Sequence, residues 1–228
     1  MYADPDYRGA QIITPWFHSV VASDYTPEEL ANIKALYAGE VSLVDHWVGE
    51  LMKKVDELGL RETTAIVFTS DHGTLLGERG GVTKDSHIRN SLSQYIANVP
   101  LIVRNPQGPK GARVREMVWS PDFMPTCCEM LGIEPPETVH GHGFWKAVGG
   151  DSSAAREYTI TGWGKRYQYV ADLDWRFVAN NGAAPDELYR RADDPRELRD
   201  VAVENPAICE KMRGRLERFW EDAKKLKP

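Results

Sequence analysis

An acid and an imidazole stand side by side, Asp71-His72, one residue beyond the run Thr64-Ala65-Ile66-Val67-Phe68-Thr69, which leads into Ser70-Asp71-His72-Gly73. A carboxylate oxygen and an imidazole nitrogen are both suitable ligands for a divalent cation. The continuous apolar and β-branched run predicts a strand covered on both faces. Ligands of α/β sheets gather just beyond the carboxyl ends of strands, so the pair lies where a site is expected. Gly73 lets the backbone turn sharply behind it. Two ligands do not complete a metal site, and others must come from elsewhere. The plainer reading of the same residues is a strand-end aspartate bonding turn amides beside a partly exposed histidine.

The elements that must position this pair are legible on both sides. Thr26 with Glu29 has the form of a capping box, Pro27 suits the first helical position, and Leu30, Ile33, Tyr37, Val41, Val44, Val48, Leu51, Val55 and Leu58 recur at steps of three or four. That spacing predicts one long helix stopping near Gly59. Helix followed by buried strand is the grammar of an α/β sheet. Pro100-Leu101-Ile102-Val103 predicts another short strand, and Ser120-Pro121 opens a helix that ends near Gly132. Gly149-Gly150-Asp151-Ser152-Ser153 is a composition shift. Beyond it, residues 157–161, 168–171, 175–179 and 187–189 are short, aromatic-rich and turn-separated, as in an antiparallel meander. Ile208, Met212, Leu216, Phe219 and Trp220 predict a terminal helix laid on that small sheet. The expected division is therefore residues 1–150, part of an α/β domain, and residues 151–228, a small antiparallel subdomain with its helix.

Composition excludes several functions. A net charge of −6 lacks the basic footprint of a nucleic-acid binder. No apolar run approaches the roughly 18–20 residues of a membrane helix, and MYADPDYRGA has no signal-peptide pattern, which leaves the compartment open. Cys127, Cys128 and Cys209 form no CxxC and read as small buried hydrophobes. His140 and His142 alternate in a glycine-rich turn and read as loop residues rather than ligands. Trp163, Tyr167, Tyr169 and Trp175 read as subdomain core, and Lys224, Lys225 and Lys227 as the solvated end of the last helix.

Ser70-Asp71-His72-Gly73-Thr74-Leu75-Leu76-Gly77-Glu78, followed by Lys84, His87 and Val99-Pro100-Leu101-Ile102-Val103-Arg104, resembles the second metal-binding motif of the sulfatases and their phosphonate monoester hydrolase relatives in the alkaline phosphatase superfamily. Ser120-Pro121-Asp122-Phe123-Met124-Pro125-Thr126 through Gly132-Ile133, then Pro135-Pro136 and Gly141-His142-Gly143, is similar to the closing segment of that family's main domain. Glu187-Leu188-Tyr189 and Asp194-Pro195-Arg196-Glu197-Leu198 are similar to its last motifs. The resemblance runs from about residue 35 onward. It implies an alkaline phosphatase-like mixed sheet flanked by helices, with Asp71 and His72 as metal ligands. It also implies that Lys84, thirteen positions after Asp71, contacts sulfate or phosphate oxygens, and that His87 protonates the leaving alkoxide. The implied reaction is hydrolysis of a small-molecule sulfuric ester. The ion is the family's usual calcium, with manganese or zinc permitted by the nitrogen ligand. Asp-His in place of Asp-Asn leans toward the phosphonate monoester and phosphodiester hydrolases, so a phosphate or phosphonate ester is the alternative substrate.

Two family features have no match: an early Asp-Asp pair, and the Cys/Ser-x-Pro/Ala-x-Arg motif whose first residue becomes the formylglycine nucleophile. Cys127 and Cys128 precede Glu129-Met130, and His18 is no secure match for the upstream family histidine. The isolated chain is therefore expected to be inert, to bind metal poorly, and to expose a truncated sheet edge that invites association, including homo-oligomerisation. A different class of function, a non-catalytic remnant or binding module of the same fold, stays open.

Overall fold

The structure, a computed structural model, describes residues 2–11, 19–84, 92–151, 156–163, 167–182 and 184–225, with the Trp163 side chain excepted. The chain divides into two compact units, Met1–Gln107 and Gly108–Pro228. Residues 108–151, which the sequence groups with the preceding part, pack here with the small sheet.

In the first unit, helix α1 spans Pro27–Glu57. Its start is fixed as the sequence predicts: the Thr26 hydroxyl accepts from the Glu29 amide at 3.2 Å, and the Glu29 carboxylate accepts from the Thr26 amide at 2.8 Å. These reciprocal bonds satisfy amides that a helix end leaves without partners. Only Asn32 and Ile33 of α1 are buried. Ile33 packs with Ala22, Tyr25 and Val82, flanked by Leu30 and Leu76. Of the remaining apolar stripe, Tyr37, Val41, Val44, Leu51 and Leu58 are exposed and Val48 and Val55 are half-buried.

Strand β1, Ile66–Thr69, pairs antiparallel with β2, Leu101–Arg104, in a two-stranded sheet with Ile66 opposite Arg104 and Thr69 opposite Leu101. The Arg104 guanidinium donates to the carbonyls of Thr64 and Arg61, at 3.2 and 2.6 Å, and ties the link after α1 to this sheet. The expectation of a strand covered on both faces is corrected: β1 is half-buried at Ile66 and Val67 and exposed at Phe68 and Thr69. An apolar run records what a strand can bury, whereas burial also needs a covering layer. Between the strands lies the single turn α2, Gln94–Ala97.

In the second unit, α3, Phe123–Leu131, begins after a 3-10 turn at Ser120–Asp122 and ends at Gly132 in the left-handed conformation. Its polar residues stitch down the following loop. Asp122, 2% exposed, accepts from the amides of Trp119 and His142 at 2.9 and 2.8 Å, and from Arg156 through both Nε, at 2.7 Å, and a terminal nitrogen. The Thr126 hydroxyl donates to the Asp122 carbonyl at 2.6 Å and accepts from the Phe144 amide at 3.1 Å. Glu129 accepts from the Trp145 amide at 2.9 Å, at the start of the short turn α4, Trp145–Val148. A Cβ on Gly141 would lie 1.9 Å from the Pro121 carbonyl oxygen, so this loop packs against the helix start only with glycine there.

The meander forms as its pattern predicts: β3, Thr159–Trp163; β4, Tyr167–Ala171; β5, Trp175–Ala179; and β6, Glu187–Arg190, antiparallel in sequence order. Helix α5, Pro206–Lys225, lays Met212 and Leu216 on Ile160, Val170, Phe177, Ala179 and Leu188. Alternation along each strand sends these side chains to one face. Tyr167 and Tyr169 are buried and Trp175 packs against the same core, while Trp163's side chain lies outside the described residues.

Candidate functional site

The site is built by the chain leaving β1. At Ser70 it turns, and the Ser70 hydroxyl donates to the His72 carbonyl at 2.8 Å. The His72 amide donates to Asp71 Oδ1 at 2.9 Å, which pins the carboxylate against its own backbone. That bond, foremost, holds the Asp71 carboxyl below the usual aspartate range, with the nearby Lys84 ammonium adding to it and partial desolvation opposing. The Asp71 side chain is 84% exposed and that of His72 37%.

Gly73 fixes the exit. Its amide donates to the Ile96 carbonyl at 2.8 Å, and a Cβ would lie 2.0 Å from the Tyr95 carbonyl oxygen. Any other residue would push the turn away from α2. Leu75 is fully buried, and the chain then doubles back: Leu76 bridges Val82, Gly77 at φ 108 donates to the Gly81 carbonyl, and the Thr83 amide donates to Leu75 at 2.7 Å. Thr83 sits at φ 66, a left-handed conformation that a β-branched residue adopts only under strain. This reversal returns Lys84 to His72.

Lys84 Nζ lies 2.7 Å from His72 Nε2. An ammonium has donors only, so Nε2 accepts, and Nδ1 carries the proton that it donates to the Gly73 carbonyl at 2.8 Å. With Nδ1 turned to the backbone, Nε2 is the ring nitrogen left for a ligand, and its one lone pair is taken here by the Lys84 contact, so a metal ion would bind there by displacing the ammonium. Asp71 Oδ2 lies 3.4 Å from the same Nε2. The spacing is that of neighbouring ligands sharing a cation whose bonds are roughly 2.0–2.4 Å. The donor set therefore fits one corner of a divalent-metal site, while among the described residues no group of three or more His, Cys, Asp or Glu gathers to complete one.

The structure brings Asp71, His72 and Lys84 together; His87 and His18 lie outside the described residues. His142 is held through its backbone by Asp122 and lines a small cleft with Trp119 and Arg156. The three cysteines are free, and burial, foremost, pushes the Cys127 and Cys209 thiols up, away from the thiolate a nucleophile needs. Sequence reasoning missed Ser70 and Thr83 as the residues that shape the turn and the return. The Thr83 conformation has no sequence signal, whereas a serine before an acid at a strand end is a recognisable turn former.

A family model described as Sulfatase matches residues 14–133. Arylsulfatase K of Xenopus laevis is 26% identical over 208 residues, covering 84% of this chain and 38% of that protein. The chain thus spans little more than a third of the length of the curated relatives it matches. Among solved structures, the phosphonate monoester hydrolase of Agrobacterium radiobacter is 26% identical with a TM-score of 0.74, covering 88% of this chain and 44% of that one. A protein solved with its substrate D-glucosamine-2-N,6-O-disulfate superposes with a TM-score of 0.75 at 23% identity, over 88% of this chain and 42% of that one, a likeness of fold. The alkaline phosphatase-like architecture and the match over more than half of its residues establish that this chain belongs to the sulfatase family.

Proposed function

We propose that the chain carries one flank of a metal-dependent site that hydrolyses a small-molecule sulfuric ester. The observation that carries this reading is the convergence of the Asp71 carboxylate, the Nε2 of His72 and the Lys84 ammonium, which holds that nitrogen until a cation displaces it, at the end of β1. Asp71 and His72 hold a divalent cation, calcium by family habit, with manganese or zinc suited to the nitrogen. When bound, such an ion supplies Lewis-acid polarisation of ester oxygens. Lys84 donates to an oxygen of the transferring group and offsets the charge that develops there. The Gly73 carbonyl keeps His72 in the required tautomer, and the Thr83 reversal keeps Lys84 within reach. His87 serves as the proton donor to the leaving alkoxide. The nucleophile and the remaining ligands come from outside these residues, so residues 1–150 act as the closing portion of the α/β domain, with residues 151–228 as its appended subdomain. A phosphonate or phosphate ester is the second reading, favoured by the Asp-His pair and by the likeness to the Agrobacterium enzyme.

Titrating the labelled chain with Mn2+ tests the assignment. The amide resonances of His72, Gly73 and Lys84 broaden first, with weak affinity, and Asp71→Asn removes the effect while an aryl sulfate is not turned over. Broadening centred elsewhere, or turnover by the chain alone, would overturn it.

A further inference from the structure

Lys84 holds the ring nitrogen that a metal ion would take, and contact with an ester oxygen gives that hold no role. We propose that Lys84 competes with the metal ion for His72 and Asp71 and is released onto the ester's anionic oxygens when the ion takes its place, so that metal and ester bind in that order and with positive coupling, an inference that rests on the metal reading of the Asp71-His72 pair. Lys84 Nζ lies 2.7 Å from His72 Nε2, and Nε2 has one lone pair to share because Nδ1 is turned to the Gly73 carbonyl at 2.8 Å. Ammonium and metal therefore exclude each other at this nitrogen. Asp71 Oδ2 stands 3.4 Å from the same Nε2, and the Lys84 charge is one of the influences that hold its carboxyl low. The ammonium thus lies in the field of the carboxylate that the ion would also use.

The backbone holds this arrangement. Thr83, directly before Lys84, stands at φ 66 with its amide donating to the carbonyl of fully buried Leu75 at 2.7 Å. A β-branched residue in the left-handed region is strained, and what the strain secures is the approach of the next side chain to His72. An ammonium that donates to His72 beside Asp71 has part of its charge already answered, and so offers less to an incoming sulfate. Once both ligands serve a metal ion, like charge drives the ammonium off, and an ester oxygen is the acceptor that satisfies it. Linkage makes the effect reciprocal: the ester tightens the metal as the metal tightens the ester. A lysine that only touched the ester would leave metal affinity almost unchanged when removed.

Mn2+ titration of the full chain at fixed ionic strength, followed by broadening of the His72 amide resonance, decides it. Lys84→Met tightens Mn2+ about tenfold, the size of the charge-assisted hydrogen bond that the ion no longer has to break. Thr83→Gly keeps the charge but loosens the return, and tightens Mn2+ by a smaller factor. Lys54→Met, which removes an exposed positive charge from α1, changes the affinity by less than about twofold. Methyl sulfate, whose oxygens accept from the displaced ammonium, tightens Mn2+ more in the parent than in Lys84→Met. Equal Mn2+ affinity in the parent and Lys84→Met, no gain from Thr83→Gly, an equal gain from Lys54→Met, or a methyl sulfate effect of one size in the parent and Lys84→Met overturns the proposal and leaves the metal reading standing. Broadening centred away from His72 in every protein overturns both.

Discussion

At the scale of single residues, the candidate site depends on two backbone positions whose side chains do no chemistry. Gly73 sits where a Cβ would lie 2.0 Å from the Tyr95 carbonyl oxygen, a backbone atom that cannot swing aside. Gly73→Ala is therefore expected to destabilise the first unit by about 3 kcal/mol, the upper range for overpacking. Its urea midpoint would fall accordingly, and a variant within error of the parent would mean the turn yields freely. Thr83 is the opposite case, because its left-handed backbone is a standing cost that glycine does not incur. Thr83→Gly is expected to raise stability by about 1 kcal/mol after the greater unfolded-state freedom of glycine is subtracted. It should also loosen the approach of Lys84 to His72, seen as a weaker dependence of the His72 ring shifts on Lys84→Met. A loss of stability would show that Thr83 is held by contacts worth more than its strain. The acid-imidazole pair was legible in the sequence because it stands one residue beyond a β-branched run. That Lys84 returns to it was not legible from local pattern, since the return depends on one strained residue and on the Leu76–Val82 reversal.

At the scale of elements, capping and periodicity were readable and partnership was not. The Thr26–Glu29 box and the recurring apolar positions place α1 because helix signals are local in sequence. The meander was readable for the same reason, since its strands are short runs between turn formers. By contrast, Asp122 and Arg156 stand 34 positions apart, and nothing in either neighbourhood announces the other. Their pairing explains the Asp-x-x-Pro-Thr helix without any catalytic role: Asp122 and Thr126 hold the Gly141–Phe144 loop against the helix start. Removing Asp122 leaves Arg156, whose side chain is 17% exposed, without its carboxylate and frees the amides of Trp119 and His142. Asp122→Ala is thus expected to cost about 3–5 kcal/mol, as for other broken buried pairs. Chemical denaturation of Asp122→Ala, Arg156→Ala and the double variant would reveal the coupling. Additive losses would mean that the pair is not a unit.

At the scale of the whole molecule, the governing fact is apolar surface that none of the described residues covers. Tyr37, Val41, Val44, Leu51 and Leu58 run along one side of α1, with Trp47 adjoining at 63% exposure, and Ile102 on β2 is exposed to the same degree. A helix with a stripe of this spacing ordinarily faces a core, and contiguous apolar patches beyond a few hundred Å² are uncommon on monomers. The two-stranded β1–β2 sheet also presents strand edges without a described neighbour. The sequence reported the stripe faithfully but could not say what covers it, because periodicity records which face is apolar and not what lies opposite. In the sulfatase relatives the matched segment is little more than a third of the chain, so the fold supplies far more protein than these residues contain. The physical consequence for this chain in solution is association. Sedimentation velocity is expected to show a weight-average mass that rises with concentration, together with dye binding typical of exposed apolar surface. Val44→Glu/Leu51→Glu introduces charge on the stripe while keeping good helix formers, so it should return the chain to a concentration-independent 25.7 kDa species with unchanged far-ultraviolet dichroism. If the parent chain is already monomeric at its solubility limit, the stripe is covered in solution by this chain itself, and the α1 packing described above would have to be revised.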